Sequence, residues 1–451
     1  MTEEIITWNE KHILKIKSDP LREVEFSTGD PDDTDKDSPE SLRKDIEPWL
    51  TALFQSEHLS LLMGTGITSA VHLLAKNRLP QGMETMDFSV FKDQVVTSVT
   101  ESAKKTGRGT PNIEDQVRVA NDLIRGLEIY LSSKDVNKAL KKLIKQLQQF
   151  KEELQIGLSA FAKDVLITEK NIATSAHLEN TMDYLTNFLV SFCSRTATRE
   201  RLNLFTTNYD RLIEFGAELA GVRLIDRFVG SLNPVFRASR LEVDMHYNPP
   251  GIRGEPRYLE GVVHYTKLHG SLDWINQDNT IRRFALPFGA DNPIEHFFPK
   301  ISSADPKSSQ LMIYPNAGKD RETAEYPYVD LFRDLASAIC RPNATLVLYG
   351  YGFGDDHINR IIRDMLTIPS THLVIIIFSD EGDRAKGFYD SVGRSAQISV
   401  LAGSHFGDLK NLVDYYLPKP AIDRATHRMA ELLKARGLSA QFNHKDEGGQ
   451  T

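Results

Sequence analysis

Apolar and polar positions change rhythm twice along the chain. The run HLSLLM at 58–63 ends in Gly64 and passes into TGITSAVHLLAK, which predicts a strand, a glycine turn and a helix. Ahead of it, SPESLRKDIEPWLTALFQS predicts a helix over about 40–56. The stretch STGDPDDTDKDSPES at 27–41 combines turn formers with aspartates and predicts a surface loop or linker. From about 86 to 197 strand-like runs disappear and helical periodicity takes over. Val136, Leu140, Leu143, Leu147, Phe150 and Leu154 follow 4-3-4-3-4 spacing, and after one extra step of four the seam continues through Leu158, Phe161 and Val165. An antiparallel helical hairpin packing on itself is favoured over an intermolecular coiled coil, because globular bundles use the same pattern.

Strand-like runs resume at RLNLFTTNYD and continue through VVHYTKLHGSLDW, LMIYP, TLVLYG, HLVIIIFSD and AQISVLAG, with helices predicted over DDHINRIIRDML and DLKNLVDYYL. Continuous apolar strands alternating with helices imply a parallel sheet covered on both faces. The expected organisation is an N-terminal segment with the acidic loop (1–48), the first part of an α/β core (49–85), an all-helical insertion (86–198), the remainder of the core (199–417), and a C-terminal helix with a polar tail (418–451). No internal repeat is evident.

Composition narrows the function classes. The chain has 451 residues, 40% hydrophobic and 26% charged, with a formal net charge of −8. That balance is soluble and globular, and direct nucleic-acid binding is not expected of an acidic average. No segment approaches the roughly 18 apolar residues of a membrane span, and MTEEIITWNEK lacks the regions of a signal peptide, so a cytoplasmic location is expected. Cys193 and Cys340 are the two cysteines and no CxxC occurs, which argues against both a disulfide framework and a zinc site.

In an open parallel sheet, ligands sit beyond the carboxyl ends of the strands. Here those ends carry Gly64-Thr65-Gly66 with Thr68, the cluster Thr206 to Asp210, Gly350-Tyr351-Gly352 with Gly354, and Ser379-Asp380. Glycine lets a backbone approach a pyrophosphate, and the following helix N-terminus supplies N–H donors, so a nucleotide diphosphate is the expected ligand. The usual dinucleotide fingerprint is incomplete, since its third glycine would fall on Ser69, and an ordinary hydride-transferring dehydrogenase is disfavoured. Asn208 and Asp210 alternate along an extended segment and face one side, with Tyr209 opposite. Asp210 is also well placed to cap the helix RLIEFGAEL. His269, at the end of an apolar run and before Gly270, is the histidine whose context points to chemistry.

Taken in order, GTGIT at 64–68, TTNYD at 206–210, LHGS at 268–271 and LYGYGFGDDH at 348–357 resemble the motifs that surround NAD in the sirtuin superfamily. The wording is most similar to bacterial sirtuin-like NADases of anti-phage defence, of the kind paired with a HerA-like ATPase. The resemblance covers about 57–85 and 199–405. It implies a Rossmann-like parallel sheet of sirtuin type carrying the large helical insertion. The four zinc-binding cysteines and the PDFR-like segment of protein-deacylating sirtuins have no counterpart here, so no zinc module and no acyl-lysine site are expected.

Carried over residue by residue, the resemblance implies that Gly64, Thr65, Gly66 and Thr68 bind the diphosphate and adjacent ribose. Gly350, Tyr351 and Gly352 flank the adenosine half, with Ser379 near its ribose. Asn208 holds the nicotinamide ribose and a water, Asp210 binds the carboxamide, and His269 is the general base. The expected activity is hydrolysis of NAD, as substrate, to nicotinamide and ADP-ribose, without a metal. Such an enzyme would kill its host unless controlled, so homo-oligomerisation or a HerA-like ATPase partner is expected, and no membrane. The alternatives are a non-catalytic sensor of NAD or an ADP-ribose-type signal, and a scaffold subunit for an ATPase or nuclease.

Overall fold

A computed structural model of the chain describes residues 8–9, 11–26, 37–80, 85–105, 111, 113–132, 138–195, 199–238, 244–247, 257–277, 280–291 and 327–419. The predicted strand LMIYP and the C-terminal helix with its tail lie outside the described residues, as does most of the acidic loop.

The chain opens with a short antiparallel pair, β1 (His12–Lys15) and β2 (Arg22–Val24), followed by helix α1 (Pro39–Phe54). Ser38 starts α1 by accepting the Ser41 N–H at 3.2 Å on its hydroxyl, with Pro39 next in the chain. Strand β3 (His58–Met63) then leads through Gly64 into α2 (Thr65–Lys76). Four helices follow without a described strand among them: α3 (Lys92–Lys105), α4 (Ile113–Ser132), α5 (Lys138–Ala173) and α6 (Leu178–Cys193). The second half brings β4 (Asn203–Thr206), α7 (Leu212–Leu219) and β5 (Arg223–Ile225), then the short strands β6 (Phe228–Val229), β7 (Val235–Phe236), β8 (His246–Tyr247) and β9 (Arg257–Tyr258). Next are β10 (Val262–Lys267), β11 (Trp274–Gln277), β12 (Thr280–Arg283), α8 (Tyr328–Ile339), β13 (Ala344–Tyr349), α9 (Asp356–Leu366), β14 (His372–Ile377), α10 (Arg384–Val392) and β15 (Ile398–Ala402).

The main sheet has the order β2-β1-β15-β14-β13-β3-β4-β10-β5. From β15 through β5 every pair is parallel, and β1 and β2 extend that edge antiparallel. Strands β6, β7, β11 and β12 form a small antiparallel sheet of their own. This is the mixed α/β, Rossmann-like architecture expected. The physical cause is legible in β3: Leu59, Leu61 and Met63 enter one apolar cluster and Leu62 the other, so both faces of the strand are buried and the run is apolar but for the buried Ser60 after His58.

The later part of the seam on α5 is buried within the chain, while its first position, Val136, lies outside the described residues. Phe150, Leu154, Leu158 and Phe161 pack with Val95 and Val99 of α3 and Val117 and Ala120 of α4, in a cluster that also holds Tyr209, Leu272 and Ile275. The helical segment thus leans on the strand-end loops of the main sheet as well as on itself.

From β3 the chain crosses first towards β4, β10 and β5, and later returns on the other side to β13, β14 and β15. The reversal falls between β3 and its neighbours, and α/β sheets of this kind bind ligands beyond the strand ends at such a switch point.

Candidate functional site

The loop after β4 is held by its own threonine. Thr206 donates from Oγ1 to Met63 O at 3.0 Å and accepts the Asn208 N–H at 3.1 Å, while Thr207 N–H also donates to Met63 O at 3.2 Å. These bonds clamp the end of β4 to the end of β3 and turn Asn208 inward. The loop after β10 is fastened to the same place, since Leu268 N–H donates to Thr206 O at 2.8 Å and Leu272 N–H to Tyr209 O at 3.1 Å. TTNYD and LHGS are therefore one hydrogen-bonded unit.

Within it a polar chain runs from amide to carboxylate. Asn208 Nδ2 donates to Gly64 O at 3.0 Å and to Thr68 Oγ1 at 3.0 Å, and Thr68 Oγ1 donates to Asp210 Oδ2 at 2.7 Å. Asn208 is 3% exposed, and its Oδ1 is buried with no hydrogen-bond partner. A buried acceptor left empty costs about 1–3 kcal/mol, and a ligand hydroxyl or water reaching it would recover that. Asp210 uses its other oxygen to accept the Leu212 N–H at 3.1 Å, bracing the start of α7 from one residue before its N-cap, Arg211. Burial pushes the Asp210 carboxyl up, against the nearby Lys267 ammonium and the Thr68 hydroxyl. Tyr209 points the other way, its ring edge-on to Phe161 of α5 at 5.7 Å between centroids.

His269 follows β10 and precedes Gly270, whose φ of +82° glycine tolerates without strain. The imidazole is 8% exposed, and its Nε2 lies 2.8 Å from Asp355 Oδ2. The rings of Tyr209 and Phe332 flank it at 6.3 and 6.5 Å.

The glycines form a second cluster. Gly66 N–H donates to Gly350 O at 3.1 Å, and Gly350 takes φ +60°. A Cβ on Gly64 would meet Gly350 O at 2.5 Å, and one on Gly66 would meet Gly350 Cα at 2.5 Å. Two backbones therefore touch at this point, and the touching alone demands glycine. Gly352 is different: a Cβ there meets only the Arg384 guanidinium, at 3.6 Å. Thr65 is exposed at the start of α2, and Ser379 is exposed just beyond β14. Tyr351, between the two glycines, turns its side chain inward. Its side chain is buried in the core on the α9 side of the sheet, where its hydroxyl donates to Asp355 O at 3.1 Å and Asn359 Oδ1 at 3.0 Å.

The structure thus brings Gly64, Gly66, Thr68, Asn208, Asp210 and Gly350 into direct contact and sets His269 on the adjoining strand, while Ser379 stands beyond β14, two strands from β3. The sequence reading gave no role to Lys267, Thr206 or Asp355. Lys267 is buried and donates to Asp210 O and, at 3.1 Å, to Glu214 Oε1. A lysine ending an apolar run was its visible signal. Asp355 is the N-cap of α9, accepting the His357 N–H at 3.1 Å on Oδ1.

One comparison with known proteins bears on this constellation. Residues 202–393 match the family model of the SIR2-like domain. The match takes in Asn208, Asp210, His269, Gly350 to Gly352 and Ser379, and spans under half of the chain. It implies a site for NAD and supports a sirtuin-like reading of the strand ends. A comparison with curated proteins returns no match. No group of three or more His, Cys, Asp or Glu suited to a metal occurs among the described residues, and no described helix is long and apolar enough to cross a membrane. Cys193 and Cys340 are both free thiols, and burial pushes Cys193 up to about 12, which makes it a poor nucleophile.

Proposed function

We propose that this chain is an NAD glycohydrolase, releasing nicotinamide and ADP-ribose. The observation that carries the reading is the empty, buried Oδ1 of Asn208 at the strand ends that also present His269. NAD carries a cationic leaving group, so breaking its nicotinamide–ribose bond needs orientation and stabilisation of an oxocarbenium ion more than acid catalysis. In this reading Asn208 Oδ1 accepts from a ribose hydroxyl or the attacking water. His269 takes one proton as the water oxygen bonds to the ribose carbon and the bonding pair leaves with neutral nicotinamide. The products are ADP-ribose, nicotinamide and one proton. Asp210, already bonded to Thr68, faces the carboxamide, and the Gly64–Gly66 and Gly350 turns lie beside the diphosphate. In this reading water, and not an acyl-lysine, is the acceptor.

The resemblance to sirtuin-like defence enzymes supports a role in which NAD is depleted during infection. The long helices pressed against the site loop supply a surface through which self-assembly or a HerA-like ATPase would control it.

The test is nicotinamide release from NAD by the full chain, alone and with a HerA-like ATPase, against Asn208→Ala and His269→Ala. A loss of about a hundredfold or more in folded variants is expected. Binding of NAD or ADP-ribose with no nicotinamide under any condition would instead make the chain a sensor.

A further inference from the structure

The His269–Asp355 pair joins loops that follow strands with two others between them in the sheet. His269 follows β10 and Asp355 follows β13, and β3 and β4 lie between those strands in the sheet. Such a contact is not a by-product of neighbouring strands, because each loop must reach over the strand ends to make it.

Capping does not account for the contact. Oδ1 of Asp355 caps α9 through the His357 N–H, and Oδ2 remains to meet His269 Nε2 at 2.8 Å. The backbone that carries the carboxylate is also held, since the Asp355 main-chain carbonyl accepts from the Tyr351 hydroxyl at 3.1 Å and from Asn359 N–H at 2.9 Å. Asn359 in turn donates from Nδ2 to Phe353 O at 2.9 Å. Both members of the pair are buried, at 8% and 5% exposure. A fixed carboxylate facing one ring nitrogen selects the tautomer with the proton on that nitrogen. The lone pair then belongs to Nδ1, which has no hydrogen bond from the described residues.

We propose that Asp355 is a positioning residue for the hydrolysis described above, on which this inference rests. It fixes His269 as the Nε2–H tautomer, so that Nδ1 takes the proton from water, and its negative charge then faces the imidazolium that forms. The buried Tyr351 has a part in this: its hydroxyl anchors the turn that aims Asp355.

The test uses the full chain labelled with 15N at histidine, with the His269 signals identified by their absence in His269→Gln. Long-range proton–nitrogen spectra of the wild type are expected to show a protonated Nε2 and a bare Nδ1. Asp355→Asn keeps a residue able to cap α9. It also offers an amide N–H to Nε2 and is expected to move the proton to Nδ1. Nicotinamide release should then fall about a hundredfold or more in kcat with KM for NAD within about threefold, and Asp355→Glu should recover part of the loss. A wild-type ring protonated on Nδ1 would overturn the proposal, as would an Asp355→Asn chain with kcat within a few-fold of wild type. A chain that never releases nicotinamide overturns the hydrolase reading, and the ring spectra still decide the pairing.

Discussion

Glu169, near the end of α5, accepts the backbone N–H of Arg211 at 2.7 Å, one residue beyond Asp210. The same carboxylate meets the Arg211 guanidinium, with Nε donating at 3.2 Å and Nη2 to the other oxygen. Burial works against the Arg211 charge, but Glu169 outweighs it and holds the guanidinium above its ordinary range. Arg211 also reaches Leu286 O and, at 3.1 Å, Pro287 O. A helix from the middle of the chain thus grips the backbone that carries Asn208 and Asp210.

Removing one member of that pair leaves the other buried and uncompensated. Glu169→Gln is therefore expected to lower stability by about 3–5 kcal/mol, read from denaturant unfolding. A loss below about 1 kcal/mol would show that water replaces the partner.

Phe161 and Tyr209 make the second joint between α5 and the site loop. A double-mutant cycle with Phe161→Leu and Tyr209→Leu should return a coupling of about 0.5–1.5 kcal/mol beyond the lost burial. Additive effects would mean that α5 and the loop do not feel each other through these rings.

The glycine cluster separates packing from ligand contact. Gly66→Ala forces a Cβ to within 2.5 Å of Gly350 Cα and should destabilise the fold by about 1–3 kcal/mol even without NAD. Gly352→Ala, with room around its Cβ, should leave the melting temperature nearly unchanged. If it nonetheless weakens NAD binding severalfold, measured by calorimetry, Gly352 approaches the ligand.

Two histidines away from the site predict an acid limb of stability. Burial lowers both His372, 2.9 Å from Ser399 Oγ with Lys15 nearby, and His405, 2.9 Å from the Tyr416 hydroxyl with His12 nearby, to about 4. The ordinary value is about 6.5, so the unfolded chain takes up protons that the folded chain refuses. Their contribution is present above about pH 6.5 and is lost as pH falls towards 4, on the order of 2–4 kcal/mol in all, with half-buried His405 discounted for solvent screening. Urea midpoints measured at pH 7 and 4.5 should show the fall, and His372→Gln should flatten it. A midpoint that holds steady over that range would rule out buried neutral histidines.

The sequence by itself determined the layered α/β sheet, because strands buried on both faces are apolar at nearly every position, as in HLSLLM, where Ser60 is the one polar residue after His58, and in HLVIII after His372. It also located the strand ends, since glycine, threonine, asparagine and aspartate interrupt those runs where helices begin. The β1–β2 pair and the small sheet of β6, β7, β11 and β12 escaped it, because strands of two to four residues are too short to show a period. Contacts between distant loops were decided by tertiary structure alone. Nothing local in GFGDDH distinguishes an aspartate that caps a helix from one that also orients His269, and nothing in the α5 heptads says that Glu169 will hold the backbone at Arg211. Spacing along the chain encodes which face is buried, whereas the partner of a polar side chain is fixed only when the strand order brings separate turns to one crevice.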